Sequence, residues 1–175
     1  YSDEWVEEAA RRGLSNLKTT PEALAVYARP ASIELFTKHG IYSKEEMHAR
    51  HEIELENYVK KIQIESRVIG DMAINHIVST SLKYQTQLVE NVKGQKEIGI
   101  DPQYYAPTVE MIKKISEYTS SIVRLQSQMT EARKEANNID DLEEKATAYG
   151  TKVKSYFEEI RYSVDKLELI VDDDE

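Results

Sequence analysis

The residues best suited to metal chemistry are acidic and imidazole side chains near the start of a predicted long helix. Glu45 and His48 form a Glu-x-x-His pair, and His51 follows within the next helical turn. Such a pair is half of the site that binds two metal ions in some carboxylate-rich helical bundles. His39, His51 and His76 do not follow a glutamate at this spacing, so the second half is missing. We therefore interpret the run as a helix cap followed by a solvated polar turn, and predict no metal ligands.

A second set of polar residues lies within an apolar stretch that extends from Ile62 to Leu82. The set consists of Arg67, Asp71, Asn75 and His76. Arg67 and Asp71 are four positions apart and could form an ion pair on one helix face. The sequence predicts either a buried polar network that fixes packing register or a polar cluster that faces another domain. The buried network is the more usual role for polar residues among apolar ones.

No further pattern points to catalysis. The sequence has no glycine-rich phosphate loop and no serine–histidine nucleophile signature, so we predict no catalytic or cofactor-binding residues. The absence of cysteine excludes disulfides, thiolate zinc sites and a cysteine nucleophile. A net charge of −9 argues against non-specific nucleic-acid binding and against an anionic membrane surface. Mean hydropathy is −0.60, no apolar run reaches about 18 residues, and no signal peptide is visible, which predicts a cytoplasmic protein.

Helix caps and breakers predict where the elements lie. Three short helices are expected within residues 1–42, over about 3–12, 20–29 and 32–39. Thr20 is the expected cap of the second, because Pro21 suits the first helical position. Three long helices are expected in 43–175, over about 44–93, 108–137 and 140–171, with a loop over 94–107.

The long helices carry heptad spacing. Ile115, Ile122, Met129 and Ala136 recur every seven residues, which is typical of helices packed lengthwise. Asp140 is the expected cap of the last helix, after a short connection that favours antiparallel neighbours. The predicted fold is therefore all-α: an antiparallel bundle of three long helices preceded by several short helices. Residues 62–82 carry apolar side chains on several sides of the predicted helix. We therefore expect part of this apolar surface to stay uncovered in the isolated chain, and to self-associate or repack.

Four blocks of sequence resemble type III glutamine synthetases. They are 10–24 (ARRGLSNLKTTPEAL), 61–72 (KIQIESRVIGDM), 131–137 (EARKEAN) and 159–169 (EIRYSVDKLEL). In that family the first block follows the catalytic core and the others belong to a C-terminal helical region. The chain begins at Tyr1 and stops in the acidic run 172–175, which we expect to be solvated. We therefore expect a piece of a longer protein.

The resemblance implies a parent enzyme that ligates ammonia to glutamate with ATP and Mg²⁺ or Mn²⁺. It implies large cytoplasmic oligomers of stacked hexameric rings, in which the catalytic domain and neighbouring subunits would be this chain's partners. No residue matches a catalytic motif of the family, so this chain is expected to be inactive alone and to hold no cofactor. Two alternatives remain open. One is a free-standing helical interaction module, and the other is a metalloprotein that uses Glu45, His48 and His51.

Overall fold

The computed structural model describes residues 2–171, and these residues form helices and connecting turns without a strand. The expected acidic end, 172–175, lies outside the described residues. In chain order the elements are α1 (Asp3–Arg11), α2 (Thr20–Leu24), α3 (Pro30–Lys38), α4 (Lys44–Asp71), a π-helical segment π1 (Met72–Val78), α5 (Ser79–Glu97), α6 (Pro102–Asn137), α7 (Leu142–Ala148), a second π-helical segment π2 (Tyr149–Val153) and α8 (Ser155–Glu168). The all-helical prediction is confirmed. No helix in this part of the chain combines the length and apolarity that crossing a membrane requires.

The short helices lie close to their predicted positions. The second one is capped by Thr19 and not by Thr20, because the Thr19 hydroxyl accepts from the Glu22 amide while the Glu22 carboxylate accepts from the Thr19 amide. A capping box needs the glutamate three positions after the cap, and Thr19 alone meets that spacing. This helix ends at Leu24, earlier than predicted, and the chain then turns as far as Pro30, which begins the third helix.

The first long helical stretch, which we call the rod, comprises α4, π1 and α5. It begins at the predicted capping box, in which the Ser43 amide donates to Glu46 Oε2 over 2.7 Å and the Ser43 hydroxyl accepts from the Glu46 amide over 3.2 Å. It continues through Gly94 to Glu97, so the predicted end at residue 93 was too early. Gly99 then adopts a positive φ of 79° and turns the chain towards α6.

Two predicted boundaries in the second half were wrong. Helix α6 begins at Pro102, capped by Asp101, and runs through Pro107, whereas the prediction began it at Thr108. The last helical stretch is capped by Asp141, whose carboxylate accepts from the Glu144 amide over 2.8 Å, and not by Asp140. Its regular part, α8, ends at Glu168.

The core follows the predicted heptad seam of α6. Ile115, Ile122, Met129 and Ala136 are all at most 2% exposed. Helix α6 contacts both α5 and α8, and its seam packs against residues of the rod and of the last helical stretch. Fully burying a side chain of this size contributes about 1.5–3 kcal/mol relative to leaving it in water. The seam therefore holds the long stretches together.

Candidate functional site

An apolar cleft of about 510 Å³ lies between the rod and α8. On the rod side it is lined by Ile69, Ala73 and Ile77, among others. On the α8 side it is lined by Phe157, Ile160 and Val164. The polar groups at its border are Glu65, Arg161 and Glu168. Walls of this kind suit the apolar face of a helix better than they suit a polar small molecule.

An exposed row of apolar side chains, which we call the ridge, lines the cleft on its rod side. It consists of Ile64, Val68 and Met72, which are 61%, 50% and 56% exposed. Residues four apart lie on the same side of a helix, so the three form one continuous stripe. Contiguous exposed apolar surface marks interaction sites in folded proteins. The prediction that part of the apolar surface of residues 62–82 stays uncovered in this chain is confirmed. Self-association through that surface remains a prediction.

The π-helical segment π1 contributes directly to the cleft. Met72, Ala73 and Ile77 belong to π1 and line the cleft. A π-helix forms i→i+5 hydrogen bonds, so its wider turns shift the faces of the helix that follows. Such segments are rare and occur frequently at functional sites. The rod wall of the cleft therefore extends from the regular helix α4 into π1.

The predicted polar set lies on the surface. Arg67, Asp71, Asn75 and His76 are all exposed. Asn75 Nδ2 donates to Asp71 Oδ1 over 2.6 Å, and within residues 2–171 no ion pair joins Asp71 to Arg67. A network buried in this chain was therefore the wrong interpretation, because helix periodicity turns these residues away from the seam. An interface with another domain or chain remains a prediction for them.

The side chains of Glu45, His48 and His51 do not form a metal site in the structure. Glu45 and His48 are exposed, and the described residues contain no group of three or more histidine, aspartate or glutamate side chains placed to hold a metal ion. The pKa of the Glu45 carboxyl is lowered by hydrogen bonds from its own backbone amide and from the Ser43 hydroxyl. These contacts suit a first-turn residue of a capped helix.

His51 was predicted to be solvated, and this was wrong. It is 5% exposed, its Nδ1 lies 3.7 Å from Glu143 Oε1, and its Nε2 is buried without a hydrogen-bond partner among residues 2–171. The spacing holds a signal for this burial, because Met47, His51 and Leu55 are four residues apart and all three are buried. His51 therefore belongs to the inner face of α4.

A polar hub that the sequence did not reveal joins the three long stretches. The Tyr149 hydroxyl donates to Asn137 Oδ1 over 2.6 Å, and Gln63 Nε2 donates to both the Tyr149 hydroxyl (3.2 Å) and Asn137 Oδ1 (3.1 Å). Burial raises the pKa of the Tyr149 hydroxyl, while the hydrogen bond from Gln63 opposes the rise. These bonds join the rod, α6 and the last helical stretch to one another.

The comparison with known families identifies the chain. The family model described as "Glutamine synthetase C-terminal domain" matches residues 1–96. The chain belongs to this family. The resemblance stated from the four sequence blocks is thus confirmed.

Curated glutamine synthetases match nearly the whole chain. One from Bacteroides fragilis (strain YCH46) is 46% identical over 177 residues, covering 99% of this chain and 24% of its own length. One from Butyrivibrio fibrisolvens is 34% identical over 171 residues, covering 98% of this chain and 24% of its own length. The type-3 glutamine synthetase of Dictyostelium discoideum is 28% identical over 180 residues, covering 99% of this chain and 24% of its own length. The chain therefore spans about a quarter of the length of these relatives.

The glutamine synthetase C-terminal domain model covers only one wall of the cleft. Residues 1–96 include the short helices and the rod almost to its end, whereas α6 and α8 lie beyond that match. The relatives nevertheless match 98–99% of the chain, which includes the α8 wall. The rod and α8 therefore occur together in these glutamine synthetases.

Proposed function

We propose that this chain is a non-catalytic C-terminal helical domain of a glutamine synthetase, and that it packs on the catalytic core and contacts neighbouring subunits. The parent enzyme would ligate ammonia to glutamate at the expense of ATP, with Mg²⁺ or Mn²⁺ bound outside residues 1–175. Membership of the C-terminal domain family carries this proposal. The exposed ridge beside an apolar cleft supports a contact role, because such surfaces serve association. A cytoplasmic location follows from the same proposal.

We also propose that the long stretches pack as an antiparallel bundle. Hydrogen bonds at two separate levels support this arrangement. Gln63 bonds to Asn137 near one end, and Gln85 bonds to Ser116 over 2.7 Å further along. The residue number thus rises along the rod while it falls along α6. The division into residues 1–42 and 43–175 stays a prediction, and α2 packs on both α4 and α7.

The catalytic part of the proposal is tested on the purified chain. It is incubated with ATP, glutamate, ammonia and Mg²⁺ or Mn²⁺, and the formation of ADP and glutamine is measured. We expect no formation above the rate without protein, because no residue of the chain matches a catalytic motif. Glutamate- and ammonia-dependent turnover by the chain alone would overturn the proposal.

The contact part is tested by a chimera. The matching C-terminal segment of the Bacteroides fragilis relative is replaced by this chain, and the same enzyme without that segment is the control. We expect the chimera to assemble to the size of the unmodified enzyme in native mass spectrometry and to keep its turnover. We expect the control to lose its assembled state. A control that assembles normally would refute the contact role.

The exposed ridge also favours a second candidate, a free-standing interaction module that binds partner helices. Such a module would need the same apolar surface but no catalytic domain. Sequencing the gene upstream of Tyr1 separates the two. A start codon within a few residues would favour the module, and a long open reading frame that encodes a catalytic domain would favour the glutamine synthetase domain.

A further inference from the structure

We propose that α1 is a strap that closes over the cleft of its own chain and lays its apolar side on the ridge. No residue of α1 is buried in the structure, although the helix is amphipathic. The cleft is an apolar groove, and grooves of this kind receive the apolar faces of helices. The inference goes beyond the proposed function, because it concerns two surfaces of one chain.

The residues of α1 separate into an apolar half and a charged half. At 3.6 residues per turn the apolar residues fall on one half of the helix, and they are Trp5, Val6, Ala9 and Ala10. The charged residues fall on the other half, and they are Asp3, Glu4, Glu7, Glu8 and Arg11. Trp5 and Val6 are 42% and 51% exposed, so the structure leaves much of the apolar half in solvent. This pattern is typical of a helix that packs on an apolar surface.

The cleft continues a groove that α2 already covers. Helix α2 packs on both α4 and α7, and a Cβ on Gly150 would lie within 4 Å of both Tyr58 and Pro21. Two helices that lie side by side have one groove on each side of their contact. Helix α6 also packs on both α4 and α7, so it occupies the opposite groove. The cleft is lined by the rod and α8 without a residue of α6, and it therefore lies on the same side as α2.

The connection between α1 and α2 is long enough to bring α1 into the cleft. Residues 14–18 have no regular structure, so α1 can change direction there without unfolding. The five residues 15–19 span about 16 Å when extended. Pro21 lies at the level of Tyr58, and Ile64 follows six residues further along the rod, or about 9 Å. The C-terminal end of α1 can therefore lie beside Ile64.

The direction of α1 in the cleft follows from this tether. Its C-terminal end stays near α2, so α1 runs antiparallel to the rod and its first residues lie towards Met72. The nine residues of α1 are about 14 Å long, and the ridge spans about 12 Å. Val6 comes five residues before Arg11, or about 8 Å, so it lies opposite Val68 at the centre of the ridge.

The rod and α8 run in the same direction along the cleft. At one end Gln63 bonds to the Tyr149 hydroxyl over 3.2 Å. At the other end Thr80 and Leu167 line the same small cavity of about 190 Å³. Residue numbers therefore rise together along both walls. Arg161, which lies between Tyr149 and Leu167 in the chain, is thus nearer the far end of the ridge than Glu65 is.

Charge complementarity favours the same direction. The basic end of α1, at Arg12, would lie beside Glu65, and its acidic start, at Asp3, would lie towards Arg161. Arg161 already forms a 2.8 Å ion pair with Asp165, so the attraction at the Glu65 end contributes more. Opposite charges at the ends of two apolar surfaces fix the orientation in which they meet.

Trp5 reports on closure, because it is the only tryptophan of the chain and lies on the apolar half of α1. Its emission spectrum and its quenching by acrylamide are measured in the full chain at several protein concentrations. Val68→Asp places a carboxylate in the apolar cleft, so we expect its Trp5 emission to shift to longer wavelength and its quenching to increase. Val123→Asp is the matched control, because Val123 is also 50% exposed but lies on α6, outside the cleft residues. This control is expected to behave like the unmodified chain. Circular dichroism melts confirm that each variant is folded.

Disulfide trapping tests which surfaces meet. The chain has no cysteine, so a pair of introduced cysteines has no competing thiol. A disulfide requires the two Cβ atoms to approach within about 4.5 Å. We expect Val6→Cys with Val68→Cys to form this bond within one chain under mild oxidation. Glu4→Cys with Val68→Cys is the control, because Glu4 lies on the charged half of α1, and we expect this pair to stay largely reduced. Non-reducing gels and mass spectrometry of proteolytic fragments distinguish bonds within a chain from bonds between chains.

Three results would overturn the strap. One is equal quenching of Trp5 in the unmodified chain and in Val68→Asp. Another is equal trapping of the two cysteine pairs, and the third is a disulfide that forms only between chains. Neither measurement involves the parent enzyme, so each of these results would leave the proposed glutamine synthetase domain standing. If α1 closes as expected, it covers the surface that supports the contact role, and a subunit that binds there must first displace α1.

Discussion

Replacing Tyr149 by phenylalanine tests whether the polar hub stabilises the fold. Tyr149 is 0% exposed, and its hydroxyl donates to Asn137 Oδ1 over 2.6 Å and accepts from Gln63 Nε2 over 3.2 Å. The substitution removes that oxygen and leaves the ring in place. Gln63 keeps its 3.1 Å bond to Asn137 Oδ1, so neither amide loses every partner. A hydrogen bond of this kind contributes about 0.5–1.5 kcal/mol net. We expect Tyr149→Phe to lower the free energy of unfolding by about 1–2 kcal/mol at pH 7.

The pH dependence gives a second, independent readout. Burial raises the pKa of Tyr149 in the folded chain, against the hydrogen bond from Gln63. Below the ordinary tyrosine pKa of about 10 the hydroxyl is protonated in both states, so the full stabilisation is present. Above that pH the unfolded chain releases the proton first, and the stabilisation is lost as the pH rises through the folded pKa. Tyr149→Phe has no such loss, so its deficit relative to the unmodified chain should shrink between about pH 10 and 11.

The assay is urea denaturation followed by circular dichroism at pH 7 and at several values up to about pH 11. Tyr58 has a pKa raised by burial and by Glu65, but it is present in both proteins and cancels in the difference. Tyr162→Phe is the control, because Tyr162 is 59% exposed, and we expect it to change stability by less than about 0.5 kcal/mol. The reasoning is refuted if Tyr149→Phe is as stable as the unmodified chain at pH 7, or if its deficit widens above pH 10.

Two further predictions use glycines. Gly94 and Gly99 both have open space where a Cβ would be placed, but only Gly99 has a positive φ, of 79°. Thermal melts should therefore show Gly94→Ala more stable by about 0.5–1 kcal/mol and Gly99→Ala less stable by about 1 kcal/mol; equal effects would contradict the conformational argument. A Cβ on Gly150 would lie 2.8 Å from the Tyr58 hydroxyl oxygen. Gly150→Ala alone should therefore raise the free energy of unfolding only slightly, whereas in a Tyr58→Phe chain, which lacks that oxygen, it should raise it by about 1 kcal/mol. A double-mutant cycle that shows no coupling between the two positions would refute the steric explanation.

The long helices were predictable because their signals are local and repeated. The capping box at Ser43 and the heptad seam from Ile115 to Ala136 each specify one face or one end, and both are confirmed. Where two adjacent residues can both cap, local chemistry alone is ambiguous. Thr19 caps instead of Thr20 because Glu22 lies three positions after it and completes the capping box. Asp140 and Asp141 both have a glutamate at that spacing, and in the structure Asp141 accepts from the Glu144 amide. Cap positions were therefore predictable only to within one residue.

Pro107 misled the prediction for a different reason. Proline has no amide hydrogen and disfavours the helical region for the residue before it, so it reads as a boundary. In the structure α6 begins five residues earlier, at Pro102, with the Asp101 carboxylate accepting from the Gln103 amide over 3.0 Å. Pro107 thus removes one hydrogen bond near the start of a long helix, and the packing of the rest of α6 on α5 outweighs that loss.

The cleft and the ridge depend on helix phase and helix packing, which no single residue type in the sequence indicates. Their position within an apolar stretch of sequence favoured a buried network for Arg67 and Asp71, whereas their phase on α4 turns them outward beside the ridge. The π-helical turns from Met72 to Val78 then change the phase of the rod where α8 passes it, and the cleft lies at that point. π-helical segments are rare and occur mostly as single turns inside α-helices, so no residue pattern in the sequence indicated this one. The cleft is therefore a property of how the rod and α8 pack together, and not of any one residue type.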